Sequence, residues 1–228
     1  MPNSRPRIGI TTSYKDERQS VDVHYIRAVE AAGGLPLIVP LLDTDETAAA
    51  FASLLDGLII TGGPGITRGL VGRLPADLEA VDPARDHSDT LIYGQMGERP
   101  VLGICYGMQF INAQAGGTIY GDLHAEHPGA LVHSPARGGQ QHLIHLEPDS
   151  HLSRALAADA LPVNTYHVQA VVDVGAGLRA VGFSPDGIVE ALESADGRRI
   201  GVQFHPERML DRTLPLFVDF VARCRGGV

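Results

Sequence analysis

Two short stretches of the sequence carry side chains suited to nucleophilic catalysis. In Gly103-Ile104-Cys105-Tyr106-Gly107, a cysteine stands between an apolar run and a helix-like pattern. This is the arrangement of a nucleophile elbow, in which a side chain at either flanking glycine would crowd the strand against the helix. The helix start favours the thiolate, and it leaves the backbone N–H of Tyr106 free to bind an oxyanion.

The second stretch supplies the acid–base partner that a cysteine nucleophile needs. His205 follows the apolar residues 201–204, so we also expect it at a strand end, and Glu207 comes two residues later. Because residues i and i+2 of an extended chain point the same way, Glu207 can contact and orient the His205 ring. The sequence therefore predicts a Cys105–His205–Glu207 triad.

A glycine-rich turn, Gly62-Gly63-Pro64-Gly65, follows another predicted strand. It lacks the pattern of a phosphate-binding P-loop and the spacing of a dinucleotide fingerprint. We expect the backbone N–H of Gly63 to be a second oxyanion donor. Taken singly, each of the three stretches also fits a structural role, as a buried cysteine or as a turn that leaves a strand. The prediction depends on their combination.

The elements that position these residues follow from hydrophobic periodicity. The sequence predicts strands over residues 7–12, 35–42, 57–61, 100–104, 141–146, 168–172, 178–184, 188–193 and 199–204. It predicts helices over residues 21–32, 45–55, 86–96, 106–115 and 210–223, with loops over 66–88 and 121–139.

Strands that alternate with helices indicate an α/β fold. We expect a three-layer α/β/α sandwich with a flavodoxin-like, mainly parallel sheet and an antiparallel extension, as one domain over residues 1–228. The predicted turns at 184–187 and 195–197 mark hairpins in that extension. In such a fold the site lies at the carboxyl ends of the strands.

Composition excludes several classes of protein. The chain has 228 residues, 44% of them hydrophobic and 20% charged, and a net charge of −9. These values exclude intrinsic disorder, and the acidic balance argues against nucleic-acid binding. Two cysteines make no disulfide framework, which indicates a reducing compartment. No secretory leader or membrane-spanning run is present in the sequence, so we expect a soluble, cytoplasmic protein with no membrane partner.

The ten histidines include two His-x-x-His pairs, His124 with His127 and His142 with His145. The first pair lies in a polar loop, and residues i and i+3 of a strand face opposite sides. We therefore expect no metal site. Residues 77–89 are acidic and are expected to form a solvated face.

The three catalytic stretches together, residues 62–64, 103–109 and 201–207, resemble the class I glutamine amidotransferase superfamily. Residues 7–13, 25–40, 82–89 and 163–169 are similar to one branch, the gamma-glutamyl-gamma-aminobutyrate hydrolase-like peptidases of type C26. The resemblance covers nearly the whole chain. We expect no attached synthetase domain, which fits a free-standing hydrolase.

The resemblance implies a role for each matching residue. Cys105 is the nucleophile, His205 the general base and then acid, and Glu207 the orienting carboxylate. Gly63 and Tyr106 supply the oxyanion N–H groups.

Two further residues are implied to bind substrate. Gln109 holds the glutamyl end, and His167, in an Asn-x-x-His-x-Gln motif, lines the pocket without acting as the base. The implied reaction is hydrolysis of a small γ-glutamyl compound through a glutamyl thioester, in polyamine or amine catabolism, and it requires no cofactor.

Two alternatives stay open at this point. Tyr106 and the Gly-Gly-Pro loop are commoner in true amidotransferases, which favours a glutaminase subunit that delivers ammonia to a separate synthetase. The other alternative is a non-catalytic binding module on the same fold. The sequence identifies neither the leaving amine nor the oligomeric state, although homodimers are common among soluble enzymes.

Overall fold

A computed structural model describes residues 5–225. Its strands are β1 Arg7–Ile10, β2 Ser13–Lys15, β3 Arg18–Ser20, β4 Leu35–Ile38, β5 Gly57–Ile60, β6 Val101–Ile104, β7 Ile119–Tyr120, β8 His142–Leu146, β9 Ala160–Val163, β10 Ala170–Val171, β11 Leu178–Phe183, β12 Val189–Ser194 and β13 Arg199–Val202. Its helices are α1 Val23–Ala31, α2 Asp45–Ala52, α3 Pro83–Gly94, α4 Tyr106–Gln114, α5 Leu123–Glu126, α6 His151–Leu156 and α7 Leu210–Cys224, with 3₁₀ turns at Pro135–Arg137 and Pro206–Arg208.

One mixed sheet runs through the molecule in the order β4-β1-β5-β6-β13-β12-β11-β8-β9. The pairings from β4 to β13 are parallel, and those from β13 to β9 are antiparallel. The short strands β7 and β10 pair with each other beside β12. The predicted α/β fold with an antiparallel extension is confirmed.

Helices cover both faces of the sheet because the strand side chains alternate between two apolar cores. Ile59 of β5 packs in the core beneath α1, α6 and α7. Its neighbours Leu58 and Ile60 pack in the opposite core, beneath α2, α3 and α4. This alternation confirms the three-layer sandwich.

Several local predictions agree with the structure. The side chain of Thr44 caps α2 by accepting from the N–H of Thr47, and Gly33 follows α1 with a positive φ of 83°. The two predicted hairpin turns join antiparallel neighbours, β11 to β12 and β12 to β13.

Other predictions need correction. The second predicted strand ends at Ile38, not at residue 42, because Pro40 has no N–H to continue the ladder. Helix α3 starts at Pro83, after an N-cap at Asp82, three residues earlier than predicted. The β2–β3 hairpin, α6 and β9 were not predicted, since these short segments show little apolar periodicity.

The predicted single domain over residues 1–228 stays a prediction, and residues 1–4 and 226–228 lie outside the described residues. No helix within residues 5–225 combines the length and the apolar character needed to cross a membrane.

Candidate active site

Cys105 lies in a strained turn between β6 and α4. Its φ of 52° and ψ of −105° are unusual for a residue with a side chain. A Cβ at Gly103 would lie 2.4 Å from the carbonyl oxygen of Gly107, and a Cβ at Gly107 would lie 2.1 Å from that of Ile60. The expected need for both flanking glycines is therefore confirmed.

His205 and Glu207 are in contact, as predicted. The Nδ1 atom of His205 lies 2.7 Å from Oε1 of Glu207, whose side chain is fully buried. The reason given for this contact was wrong, however. Residues 206–208 form a 3₁₀ turn and not extended chain, so the turn itself brings the carboxylate back to the ring.

The three predicted stretches leave three consecutive strands of the sheet. The glycine turn follows β5, Cys105 follows β6 and His205 follows β13, and these strands are parallel neighbours. The packing is close: a Cβ at Gly62 would lie 2.6 Å from Cε1 of His205. The sheet therefore brings the candidate nucleophile, base and oxyanion donors to one edge.

His205 has a strongly perturbed acidity. Burial lowers its pKa, but hydrogen bonding to Cys105 and to Glu207, together with their charges, raises the pKa to about 10. Since Glu207 contacts Nδ1, Nε2 is the ring nitrogen left for Cys105. A histidine of this kind holds its proton at neutral pH, as the imidazolium of a thiolate–imidazolium pair does.

Asn164 holds the backbone of His205 from both sides. Its Oδ1 atom accepts from the N–H of His205 at 2.8 Å, and its Nδ2 donates to the carbonyl of His205 at 2.9 Å. Because a buried amide with both groups satisfied fixes its partner, Asn164 positions the residue that carries the candidate base.

Arg85 is completely buried beneath the glycine turn. Its guanidinium donates to the carbonyl oxygens of Thr61 and Gly62 at 3.0 and 3.2 Å. A Cβ at Gly63 would lie 2.1 Å from Nη1 of Arg85. The same guanidinium lies over the ring of Tyr106, 4.4 Å from its centroid. One cation therefore supports both of the predicted oxyanion donors.

Two neighbours complete this support. Asp89 pairs with Nε of Arg85 at 3.3 Å. Burial raises the pKa of Asp89 to about 6, although the charge of Arg85 and its hydrogen bond lower that pKa. The hydroxyl of Tyr25 accepts from the N–H of Gly62 at 2.9 Å. The expectation that residues 77–89 form a solvated face was wrong for Arg85 and Asp89, which face inward from α3.

Three buried glutamines connect the nucleophile to the pocket wall. Gln203 donates to Sγ of Cys105 at 3.5 Å and accepts from Nε2 of Gln109 at 3.1 Å. Nε2 of Gln109 also donates to the carbonyl of Gln169, so both of its N–H groups are used within the protein. Only the carboxamide oxygen of Gln109 remains for a ligand.

A pocket opens beside Cys105. Gly63, Gln109, Tyr166 and His167 line it, together with apolar neighbours, and none of its described lining residues is Asp, Glu, Lys or Arg. Gln109 and His167 thus lie where the substrate-binding prediction places them, although no contact with a substrate tests that role.

A cluster of four buried side chains lies behind the pocket wall: His133, His142, His167 and Glu190. Burial raises the pKa of Glu190, but the three imidazoles outweigh it and hold the pKa well below its usual range. His133, His142 and Glu190 are close enough to hold a metal ion. His145 is exposed on the other face of β8, as predicted for the second His-x-x-His pair.

Sequence reasoning missed Arg85, Asn164, Gln203 and the cluster as functional candidates. Their roles depend on burial and on contacts between residues far apart in the chain. The one available signal was the family resemblance, because Arg85 and Asn164 lie in segments that are similar to known hydrolases.

Comparisons with known proteins identify the family of this chain. The family model for Peptidase C26 matches residues 5–207. Gamma-glutamyl-gamma-aminobutyrate hydrolase PuuD of Escherichia coli is 30% identical, over 92% of this chain and 88% of its own length. A glutamine amidotransferase-like protein, YvdE of Lactococcus lactis, is 32% identical over 80% and 78%.

A solved structure shares the fold. A Thermoplasma acidophilum protein described as part of a GMP synthase superimposes with a TM-score of 0.69 at 16% identity, covering 98% of this chain and 96% of that one. On the family match and the identity to these relatives, the chain belongs to the peptidase C26 family, within the class I glutamine amidotransferase-like superfamily.

Proposed function

We propose that the protein hydrolyses the γ-glutamyl amide bond of a small γ-glutamyl compound, such as γ-glutamyl-γ-aminobutyrate, and releases glutamate and an amine. Membership of the peptidase C26 family supports a hydrolase that acts on amide bonds. The observation that carries the proposal is the contact of His205 with Glu207, together with the position of Cys105 at the end of the neighbouring parallel strand.

The first half of the reaction is acyl transfer to the thiol. The thiolate of Cys105 attacks the amide carbon, and the N–H groups of Gly63 and Tyr106 stabilise the resulting oxyanion. The His205 imidazolium donates its Nε2 proton to the leaving nitrogen, so that the C–N bond breaks and the amine departs. A glutamyl thioester on Cys105 remains.

The second half regenerates the enzyme. Neutral His205 takes a proton from a water molecule, which attacks the thioester carbon, and the C–S bond breaks to release glutamate and the thiolate. Glu207 keeps the ring oriented and stabilises the imidazolium that forms. All the proton transfers use His205, and the reaction needs no redox step.

The pocket favours a small substrate with a neutral reacting end. Because no Asp, Glu, Lys or Arg side chain is among the described pocket residues, the substrate meets backbone groups and the carboxamide oxygen of Gln109. The relative with 30% identity that is named for γ-glutamyl-γ-aminobutyrate hydrolysis covers most of this chain, which supports that substrate class.

The test is amine and ammonia release by the purified chain from glutamine and from a panel of γ-glutamyl amines. We expect turnover of a γ-glutamyl amine well above that of glutamine, and a loss of at least about 10⁴-fold in Cys105→Ala. Cys224→Ala is the matched control, since Cys224 is also buried but is the last residue of α7 and does not line the pocket. Equal activity in Cys105→Ala and the wild type would overturn the proposal.

A second candidate is a glutaminase subunit that supplies ammonia to a separate synthetase. Tyr106 after the nucleophile favours it, as does the similarity to a glutamine amidotransferase-like protein. It predicts slow hydrolysis of glutamine alone, with no turnover of larger γ-glutamyl amines and an increase when a partner is added. The substrate panel separates the two candidates.

A further inference from the structure

Three imidazole nitrogens converge on one oxygen atom in the cluster behind the pocket. Nδ1 of His133, Nε2 of His142 and Nε2 of His167 lie 3.3, 3.2 and 3.3 Å from Oε1 of Glu190. The four side chains are between 0% and 8% exposed. Nε2 of His142, Nε2 of His167 and both oxygens of Glu190 lack a hydrogen bond of acceptable geometry to any described residue.

The outer nitrogens of two of these rings are committed as donors. Nε2 of His133 lies 3.0 Å from the carboxylate of Asp186, and Nδ1 of His167 lies 2.9 Å from the carbonyl oxygen of Gln169. Because both partners only accept, each outer nitrogen carries the proton, and the inner nitrogen of a neutral ring has a lone pair. These lone pairs face the lone pairs of Glu190, so a positive charge must lie between them.

Protons alone satisfy this arrangement poorly. To donate to Glu190, His133 and His167 would each need a second proton, whereas His142 can donate from Nε2 as a neutral ring. Donation by all three would therefore place two positive charges around one buried carboxylate, and one oxygen has only two lone pairs to accept three donors. A single divalent cation satisfies the inner nitrogens of His133 and His142 and the carboxylate oxygen together.

The dimensions suit such an ion. Bonds of about 2.0–2.1 Å from zinc to nitrogen and oxygen ligands give ligand–ligand separations of about 3.3 Å in a tetrahedron. Ligand atoms of His133, His142 and Glu190 all lie within 4.8 Å of one another. Nε2 of His167 lies 3.3 Å from Oε1 of Glu190 but stands outside this group. A carboxylate behind a ligating histidine is a usual outer partner of a metal site.

We propose that His133, His142 and Glu190 bind one divalent transition-metal ion of the zinc type, with His167 beside it against the same carboxylate. These three ligands leave the fourth position of a tetrahedron to water. None of them lines the pocket beside Cys105, so the ion takes no part in the chemistry there. This proposal is independent of the reaction assigned to the pocket.

The ion would tie the pocket wall to the sheet. His142 and Glu190 belong to β8 and β12, whereas His133 and His167 belong to two loops. The loops already meet, since the N–H of His167 donates to the carbonyl of His133 at 3.0 Å. The segment 164–169 also carries Asn164, so the ion would stabilise the loop that holds the backbone of His205.

The test begins with the metal content of the full chain, expressed without a histidine tag and purified without chelator. We expect about one zinc-type ion per chain that survives dialysis. After removal of the ion, added Co²⁺ should bind at about one per chain and show the visible absorption of a four-coordinate site.

Variants locate the ion. Glu190→Gln, which keeps the shape of the ligand, should lose it, and Asp186→Asn should weaken binding by about 10- to 100-fold. His145→Gln is the matched control, because His145 is exposed on the same strand as His142. It should retain full metal content.

Two results would overturn the proposal. One is a wild-type chain that contains no stoichiometric metal and binds no Co²⁺ after treatment with chelator, which would leave the cluster as a proton-sharing network. The other is unchanged metal content in Glu190→Gln. Neither result depends on activity, and the first does not depend on the folding of a variant.

Discussion

The guanidinium of Arg85 lies over the ring of Tyr106, 4.4 Å from its centroid, while it donates to the carbonyl of Gly62. Arg85 therefore joins the residue after the nucleophile to the glycine turn of the neighbouring strand. Its planar, multiply donating group is suited to this double contact, and a lysine ammonium is not.

Arg85→Lys should lower kcat by roughly 10- to 100-fold and leave KM little changed. The reason is that the proposed oxyanion donors would lose their shared support, and they act mainly in the transition state. Steady-state kinetics with the best γ-glutamyl substrate provide the measurement. Arg68→Lys is the control, since Arg68 is exposed and pairs with Asp86 at the surface. A change in KM alone would contradict the positioning role.

Cys105→Gly should be more stable than Cys105→Ala by about 1 kcal/mol. Position 105 has a positive φ that costs energy for any residue with a Cβ, and glycine relieves it. Denaturant unfolding of both inactive variants measures the difference. At Ala49, on the exposed side of α2, a change to glycine should have the opposite sign and lower stability by roughly 1 kcal/mol. Equal stability of the two Cys105 variants would show that the turn is unstrained.

Gly107→Ala should lower the free energy of unfolding by about 1–3 kcal/mol or more. The added methyl group would meet the carbonyl of Ile60 in β5, and a backbone atom in the middle of a sheet has little room to move. Gly94→Ala provides the comparison, because its Cβ would have no neighbour within 4 Å at the end of α3. That variant should be neutral or slightly stabilised, as measured by thermal unfolding.

The pH profile should show the raised pKa of His205. A pKa of about 10, against the ordinary 6.5, keeps the imidazolium protonated up to about pH 10, so activity should decline only as pH approaches that value. The stability that this shift contributes is fully present below pH 6.5 and is lost as pH rises to about 10.

Glu207→Gln tests the cause of that shift. It removes two of the contributions that raise the pKa, so the alkaline decline in kcat/KM should move to lower pH. Cys105 stays beside the ring in this variant, as do Tyr166 at the ring edge and Arg208, which lies 3.7 Å from the replaced carboxylate. An unchanged alkaline limb would mean that another group controls the profile.

The sequence predicted the parts of the site that lie at strand ends. Cys105, His205 and the glycine turn each follow a buried apolar strand, and parallel strands bring their carboxyl ends to one edge. Periodicity and turn chemistry are local signals, and they also located the strands of the parallel half and the last two hairpins.

The rest depends on contacts that no local pattern encodes. Arg85 stands in an acidic stretch and yet is completely buried, because Asp89 one turn later pairs with its charge and the carbonyl of Thr61 accepts a hydrogen bond from it. The four members of the histidine cluster span nearly 60 residues, and their convergence depends on β8, β12 and two loops meeting in the folded chain. Even the correct His205–Glu207 contact arises from a 3₁₀ turn that the extended-chain argument did not include.

Strand β13 is parallel to β6 on one side and antiparallel to β12 on the other. The parallel strands hold the atoms proposed to react, while the pocket wall at residues 164–169 follows β9 at the far edge of the antiparallel half. Within that wall, Tyr166 is 51% exposed and lines the pocket with Val168. Replacement of these two rim residues can therefore change which substrate is selected, while the candidate catalytic residues on the parallel strands stay the same.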